Sequence, residues 1–216
     1  ISYTVQSLLK IEDCICMDIL GGCNGFVNAF DIAYNYIAIG KVNTALVIGV
    51  DRLSTAIDKN DMSTTILFGD GAGATIITKS SEKKEYYSKL KSRGQESEYL
   101  TYEVGRKLRM DGTNIYKYAV TEVPKIINET LEMANLEIDD LKHIILHQSN
   151  IRIMNSIAKK LGIYKGRLYA NIENVGNTFC ASIPIALAEI DIQDGEYLLM
   201  CGYGGGLNTG CIILEA

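Results

Sequence analysis

The chain has 216 residues, 47% of them hydrophobic and 22% charged, with two prolines and no tryptophan. That is the profile of a globular protein with a large core, and it excludes disordered, collagen-like and coiled-coil architectures. A formal net charge of −5 supplies no general positive field for phosphate, so nucleic acid is not expected as a partner.

The chain opens at Ile1, without a methionine, directly in the helix-like stretch YTVQSLLKIED, and a preceding amino-terminal portion is expected. Tyr3 to Lys10 reads as a helix. Cys14 to Ile19, apolar and bounded by Gly21 and Gly22, reads as a buried strand. From Asn24 to Ile39 the residues Phe26, Ala29, Phe30, Ala33 and Ile37 recur every three or four positions, a helix stopped at Gly40. Ala45 to Val50 follows as another buried strand, and Thr64 to Phe68 is expected to pair with Ala74 to Thr78 across GDGAG as a hairpin. Strand, helix and strand in this order imply a parallel βαβ unit with an antiparallel addition. Ser80 to Arg109, charged and without period, reads as a surface connection.

Beyond it, Tyr116 to Asn135 is predicted as a long helix, Leu141 to Leu146 as a strand, Ile151 to Leu161 as a helix and Leu168 to Asn171 as a short strand. Ala181 to Asp191 is predicted helical, and Tyr197 to Cys201 and Gly210 to Leu214 are predicted strands. The uncharged run Tyr197 to Leu214 has membrane-spanning length, but Gly202, Gly204, Gly205, Gly206, Asn208, Thr209 and Gly210 interrupt it. A spanning helix and a membrane partner are therefore not expected. LVIGV followed by ILFGDGAGATIIT is echoed by LLMCGYGGG followed by TGCIIL, which suggests two duplicated halves. The resulting division is 1–82 for the remainder of a first half, 83–109 for the connection and 110–216 for the second half.

Six cysteines, at 14, 16, 23, 180, 201 and 211, form no C-x-x-C pair and no Cys/His metal spacing; reduced thiols in a cytoplasmic protein and no metal are expected. Cys23 differs from the others. It sits between a predicted strand and a predicted helix, flanked by Gly21, Gly22 and Gly25, a setting similar to a nucleophile elbow in which a helix amino terminus favours thiolate. Cys23 is therefore expected to be the fastest alkylated of the six. His147 closes the strand HIILHQSN, at the end where functional groups collect, whereas His143 is expected to face solvent at its edge. Asn177, in NVGNTFCAS, precedes a helix and by itself reads as a cap or turn residue.

The motifs GGCNGF, STTILFGDGAGA, HQSNIRI, NVGNTFCASIP and GYGGGLNTG, in this order along essentially the whole chain, resemble the β-ketoacyl-acyl carrier protein synthase III family of thiolase-like condensing enzymes. The resemblance implies an α/β thiolase-like fold, five-layered αβαβα with two duplicated halves, the first incomplete here. It puts a catalytic triad on Cys23, His147 and Asn177, with backbone amides of Cys23 and Gly205 as oxyanion hole. It puts coenzyme A (CoA) contacts on Asn150 and Arg152, and carrier-protein docking on Lys117, Arg152, Lys159 and Lys160. Met62 stands where many relatives carry an arginine. The implied activity is decarboxylating Claisen condensation of an acyl-CoA with malonyl-acyl carrier protein, initiating fatty-acid synthesis. The implied enzyme is a homodimer with no cofactor beyond those thioester substrates. The alternatives are a starter-unit or hydroxymethylglutaryl-CoA synthase-like acyltransferase, or an inactive truncated fragment. Papain-like thiol hydrolases share the order Cys, His, Asn, but the duplicated glycine hairpins count against them.

Overall fold

The computed structural model describes residues 1–102, 107–164 and 166–216. Helix α1 (Ser2–Leu9) is followed by an extended segment and a 3-10 turn, Gly22–Asn24, that runs into α2 (Gly25–Ala38). Then come β1 (Thr44–Asp51), α3 (Met62–Thr65), β2 (Gly71–Thr78), β3 (Tyr86–Ser92), and the short strands β4 (Leu100–Thr101) and β5 (Arg109–Met110). The second half comprises α4 (Gly112–Ala134), β6 (Leu141–Leu146), α5 (Ile151–Lys160), α6 (Ile172–Val175), a 3-10 turn Phe179–Ala181, α7 (Ser182–Leu187), β7 (Tyr197–Gly204) and β8 (Asn208–Glu215).

The central sheet has the order β3-β8-β7-β6, parallel only between β6 and β7. One of its faces packs under α4 and α5 in a core of Val123, Ile127, Leu131, Ile157, Leu199 and Ile213. The other packs on α2 and α7 through Phe26, Val27, Phe30, Ile145, Ile183 and Met200. Val47 and Ile77 of the antiparallel β1–β2 pair close that second core from beyond, so the chain stacks helices, sheet, helices, sheet. Apolar residues on both faces of β7, buried from Leu198 to Gly204, are what a strand between two helical layers requires. Gly49 and Gly73, partners in register, let α7 lie against β1 and β2. A Cβ at either would come within 2.6–2.7 Å of the backbone of Cys180 or Ile185.

The halves repeat in space. In each, a 3-10 turn leads into a buried helix, and a strand follows that pairs antiparallel with the next long strand of its sheet. Cys23 and Cys180 occupy the middle positions of the two turns.

Several local expectations are corrected. Cys14 to Ile19 forms no strand and is largely exposed, because among the described residues no neighbouring strand takes up its backbone groups; Asp18 instead accepts from the Ser2 amide at 2.8 Å. Thr64 to Phe68 is not a strand either. Thr64 Oγ1 donates to Asp61 at 2.9 Å and the chain turns as α3, so β2 pairs with β1 rather than across GDGAG. The expected surface connection supplies β3, hydrogen-bonded along its length to β8; its residues 103–106 lie outside the described residues. Leu168 makes only a single parallel bridge to Ile144. His143 is partly buried, its Nε2 2.8 Å from Glu196. Among the described residues, no helix is long and apolar enough to cross a membrane.

Candidate active site

The turn carrying Cys23 is pressed between α2, the end of β7 and the turn Phe179–Ala181. Cys23 is buried, at 3% exposure, and its Sγ lies against Gly204. At φ +154° that residue leaves room for the sulfur, whereas a Cβ there would stand 2.8 Å from it. The backbone N–H groups of Gly205 and of Cys23 itself favour the sulfur's anion. Burial and the charge of Asp51 outweigh them and push the thiol up to about 12. The resting group is therefore a neutral thiol, contrary to the thiolate expected from the helix terminus alone. Position near a helix start gives about 0.3–1 kcal/mol, less than the cost of putting a charge into this dry pocket.

His147 directly follows β6, and its backbone N–H donates to Cys201 O at 2.8 Å, continuing the ladder onto β7. The imidazole is buried and held neutral: desolvation lowers its pKa to about 3. Its Nδ1 is 2.7 Å from Ser182 Oγ, the first residue of α7, and its ring meets the Tyr203 ring edge to face at 5.4 Å. Tyr203 immediately precedes Gly204, so one stretch of β7 touches His147 through Tyr203 and Cys23 through Gly204.

Asn177 follows the left-handed Gly176 and is locked by backbone bonds to Leu67 O and Gly69 N on the opposite half. Its Oδ1 accepts from the Phe179 amide at 3.0 Å and its Nδ2 donates to Ser149 O at 3.3 Å. The oxygen is thus occupied, and one N–H is left without a partner among the described residues. Tyr203 and Ser149 share a 2.7 Å hydroxyl pair that ties His147's neighbour on β7 to the carbonyl Asn177 uses. Neither Tyr203, Ser149 nor Ser182 was singled out from the sequence, where a lone hydroxyl in an apolar run carries no signal.

The 3-10 turn of the second half makes the contrast with Cys23 plain. Cys180 has its backbone N–H bound to Asp51 Oδ2 at 3.0 Å and its thiol 3.8 Å from Val50 O, and burial with Asp51 raises its pKa too. Cys201 and Cys211 are buried between layers, and all six cysteines are free. Cys14 is the exposed one, whereas Cys23 is buried. Asn150 caps α5, its Oδ1 accepting from the Arg152 amide at 2.8 Å. Arg152, Lys159, Lys160 and Lys117 are all exposed, as is Met62 at the start of α3.

Comparison with known proteins matches residues 17–94 to the family described as 3-Oxoacyl-[acyl-carrier-protein (ACP)] synthase III and residues 131–216 to its C-terminal part. The β-ketoacyl-acyl carrier protein synthase III of Aquifex aeolicus is 40% identical over 98% of this chain and 70% of its own length. The chain belongs to the β-ketoacyl-acyl carrier protein synthase III family. The synthase III of Streptococcus pneumoniae strain Hungary19A-6 is 36% identical over 97% of this chain and 71% of its own. The Aquifex crystal structure superposes with a TM-score of 0.96 at 39% identity, covering all of this chain and 71% of that one. Family membership makes the chain an acyltransferase-type condensing enzyme with a thiolase-like α/β fold, and it spans 71% of the Aquifex chain.

Proposed function

We propose that this chain carries out the decarboxylating Claisen condensation that starts fatty-acid chains, through an acyl-enzyme on Cys23. The observation that carries this reading is the buried sulfur of Cys23 seated against Gly204 of β7, whose preceding residue Tyr203 meets the ring of the neutral His147. Attack of Cys23 Sγ on an acyl-CoA carbonyl makes a C–S bond to the enzyme and breaks the one to CoA; the thiol proton leaves with CoA sulfur. The exchange swaps one thioester for another, so the site need only hold the tetrahedral oxyanion, a role assigned to the Cys23 and Gly205 amides.

Malonyl-acyl carrier protein then replaces CoA. Its carboxylate departs as CO2 and the electron pair remains on the thioester as an enolate. Stabilising that oxygen takes hydrogen-bond donors without a competing negative charge. Neutral His147, with Nδ1 engaged by Ser182, and Asn177, one of whose amide N–H groups and the His147 Nε2 have no partner among the described residues, meet that need. The enolate carbon attacks the acyl group, and the tetrahedral adduct expels Cys23 sulfur to release 3-oxoacyl-carrier protein. No metal or resident cofactor enters these steps.

Asn150 and Arg152, at the start of α5, are assigned to CoA phosphate and pantetheine, where an arginine fork suits phosphate. Lys117, Arg152, Lys159 and Lys160 are assigned to docking of the acidic carrier protein. In support, all four are exposed and α4 and α5, which carry them, lie side by side, with Lys160 Nζ on Val120 O at 2.8 Å and Tyr116 Oη 3.1 Å from Ser156 Oγ. A homodimer belongs to the same proposal, and six free thiols support a cytoplasmic location. Incubation with a short acyl-CoA, mass mapping of the acyl group, and addition of malonyl-carrier protein test the whole sequence. An acyl group on Cys23 that turns over to 3-oxoacyl product is expected; acylation at Cys180 or Cys201 with Cys23 bare would overturn the proposal.

A further inference from the structure

Ser182 lies at the start of α7, is fully buried and has two hydrogen-bond neighbours among the described residues. The Gln148 backbone N–H donates to its Oγ at 3.3 Å, and His147 Nδ1 lies 2.7 Å away. A hydroxyl has one proton to give and two lone pairs. If Nδ1 carried the imidazole proton and donated it to Oγ, the oxygen would accept twice and its own proton would be buried with no acceptor. If the hydroxyl donates to Nδ1, every group is satisfied: the oxygen accepts from Gln148, its proton goes to Nδ1, and the imidazole proton stands on Nε2. Burying an unpaired O–H is the costlier arrangement.

We propose that Ser182 is a positioning residue that fixes His147 in the Nε2–H tautomer, so that the site presents a hydrogen-bond donor to the enolate oxygen. This deepens the functional reading above and rests on it for its catalytic consequence. The Tyr203 ring, edge to face with the imidazole at 75°, restrains the ring's rotation, and Ser182 decides which nitrogen bears the proton. The same hydroxyl bonds the Gln148 amide, so the α7 start, the end of β6 and the histidine tautomer are set by one oxygen.

The direct test is nitrogen-15 NMR of the histidine-labelled chain at neutral pH, with His143→Gln used to assign the two histidines. Nδ1 of His147 should show the pyridine-like signal and Nε2 the protonated one. Ser182→Ala should give a mixture of tautomers and lower kcat for malonyl-carrier protein decarboxylation about tenfold, the fold-change one neutral hydrogen bond sets, with KM little moved. Ser182→Thr, which keeps the hydroxyl, should restore both. A protonated Nδ1 in the unaltered chain, or an unchanged tautomer in Ser182→Ala, would overturn the proposal without touching the condensing reading. Absence of any decarboxylation by the unaltered protein would overturn the condensing reading, while the NMR signals would still decide the role of Ser182.

Discussion

Replacing Gly204 by alanine isolates the contact that seats the nucleophile. The added Cβ would lie 2.8 Å from Cys23 Sγ and 2.9 Å from its Cβ, at a backbone φ of +154°. Ordinary contact begins near 3.4 Å, so the sulfur and the glycine-rich strand end must separate by about 0.6 Å. Overpacking of this kind costs about 1–3 kcal/mol, and a backbone region that side chains avoid adds about 1–3 kcal/mol. Misplacing a reacting atom by a large fraction of an ångström lowers rate by up to about 100-fold. We expect Gly204→Ala to unfold at lower urea concentration and to acylate Cys23 one to two orders of magnitude more slowly. The two costs separate in a double-mutant cycle with Cys23→Gly, which removes both crowded atoms. The overpacking part should vanish and the backbone part should remain, leaving a coupling of about 1–3 kcal/mol. Acylation at the unaltered rate in Gly204→Ala, or strictly additive stabilities in the cycle, would refute the claim that this contact positions the sulfur.

Three further outcomes follow from the same geometry. Because the Cys23 thiol titrates near 12, acylation by a simple thioester should keep accelerating with pH through about 9, and iodoacetamide should modify exposed Cys14 before Cys23; a plateau near pH 7 would mean the thiol is already ionised. His147 is held neutral, its pKa lowered to about 3 from 6.5. The unfolded chain therefore binds the proton first, and stability present above pH 6.5 is lost as pH falls. The slope is at most about 1.4 kcal/mol per pH unit, and between about pH 6.5 and 4.5, above the carboxylate range, His147→Gln should flatten the urea-midpoint profile. Reversing Lys159 and Lys160 to glutamate should raise KM for malonyl-carrier protein and weaken its salt dependence, while acylation by free acyl-CoA stays near its original rate; equal losses with both substrates would point to damage in the α4–α5 contact.

Much of this protein was legible one residue at a time. The three-and-four spacing of Phe26, Phe30 and Ile37 marks α2, and the run Leu141 to Leu146 marks β6, because a helix or strand buried on known faces has a period that sequence displays directly. The glycine-flanked Cys23, His147 at a strand end and Asn177 before a helix were visible as single candidates, and the motifs around them supplied their common family. Pairing and burial were decided elsewhere. Cys14 to Ile19 has the composition of a core strand, yet it lies exposed, since a strand exists only where another chain segment accepts its hydrogen bonds. Tyr86 to Ser92 carries two tyrosines, two lysines and two serines and gives no strand signal, yet β8 offers it an edge. The protonation states belong to the tertiary structure most of all. The sequence places a thiol before a helix and predicts an anion; enclosure by β7, with Asp51 nearby, makes it neutral. Which nitrogen of His147 bears the proton turns, on our proposal, on Ser182, 35 residues away along the chain, because a hydroxyl's single proton can be assigned only once all its neighbours are known.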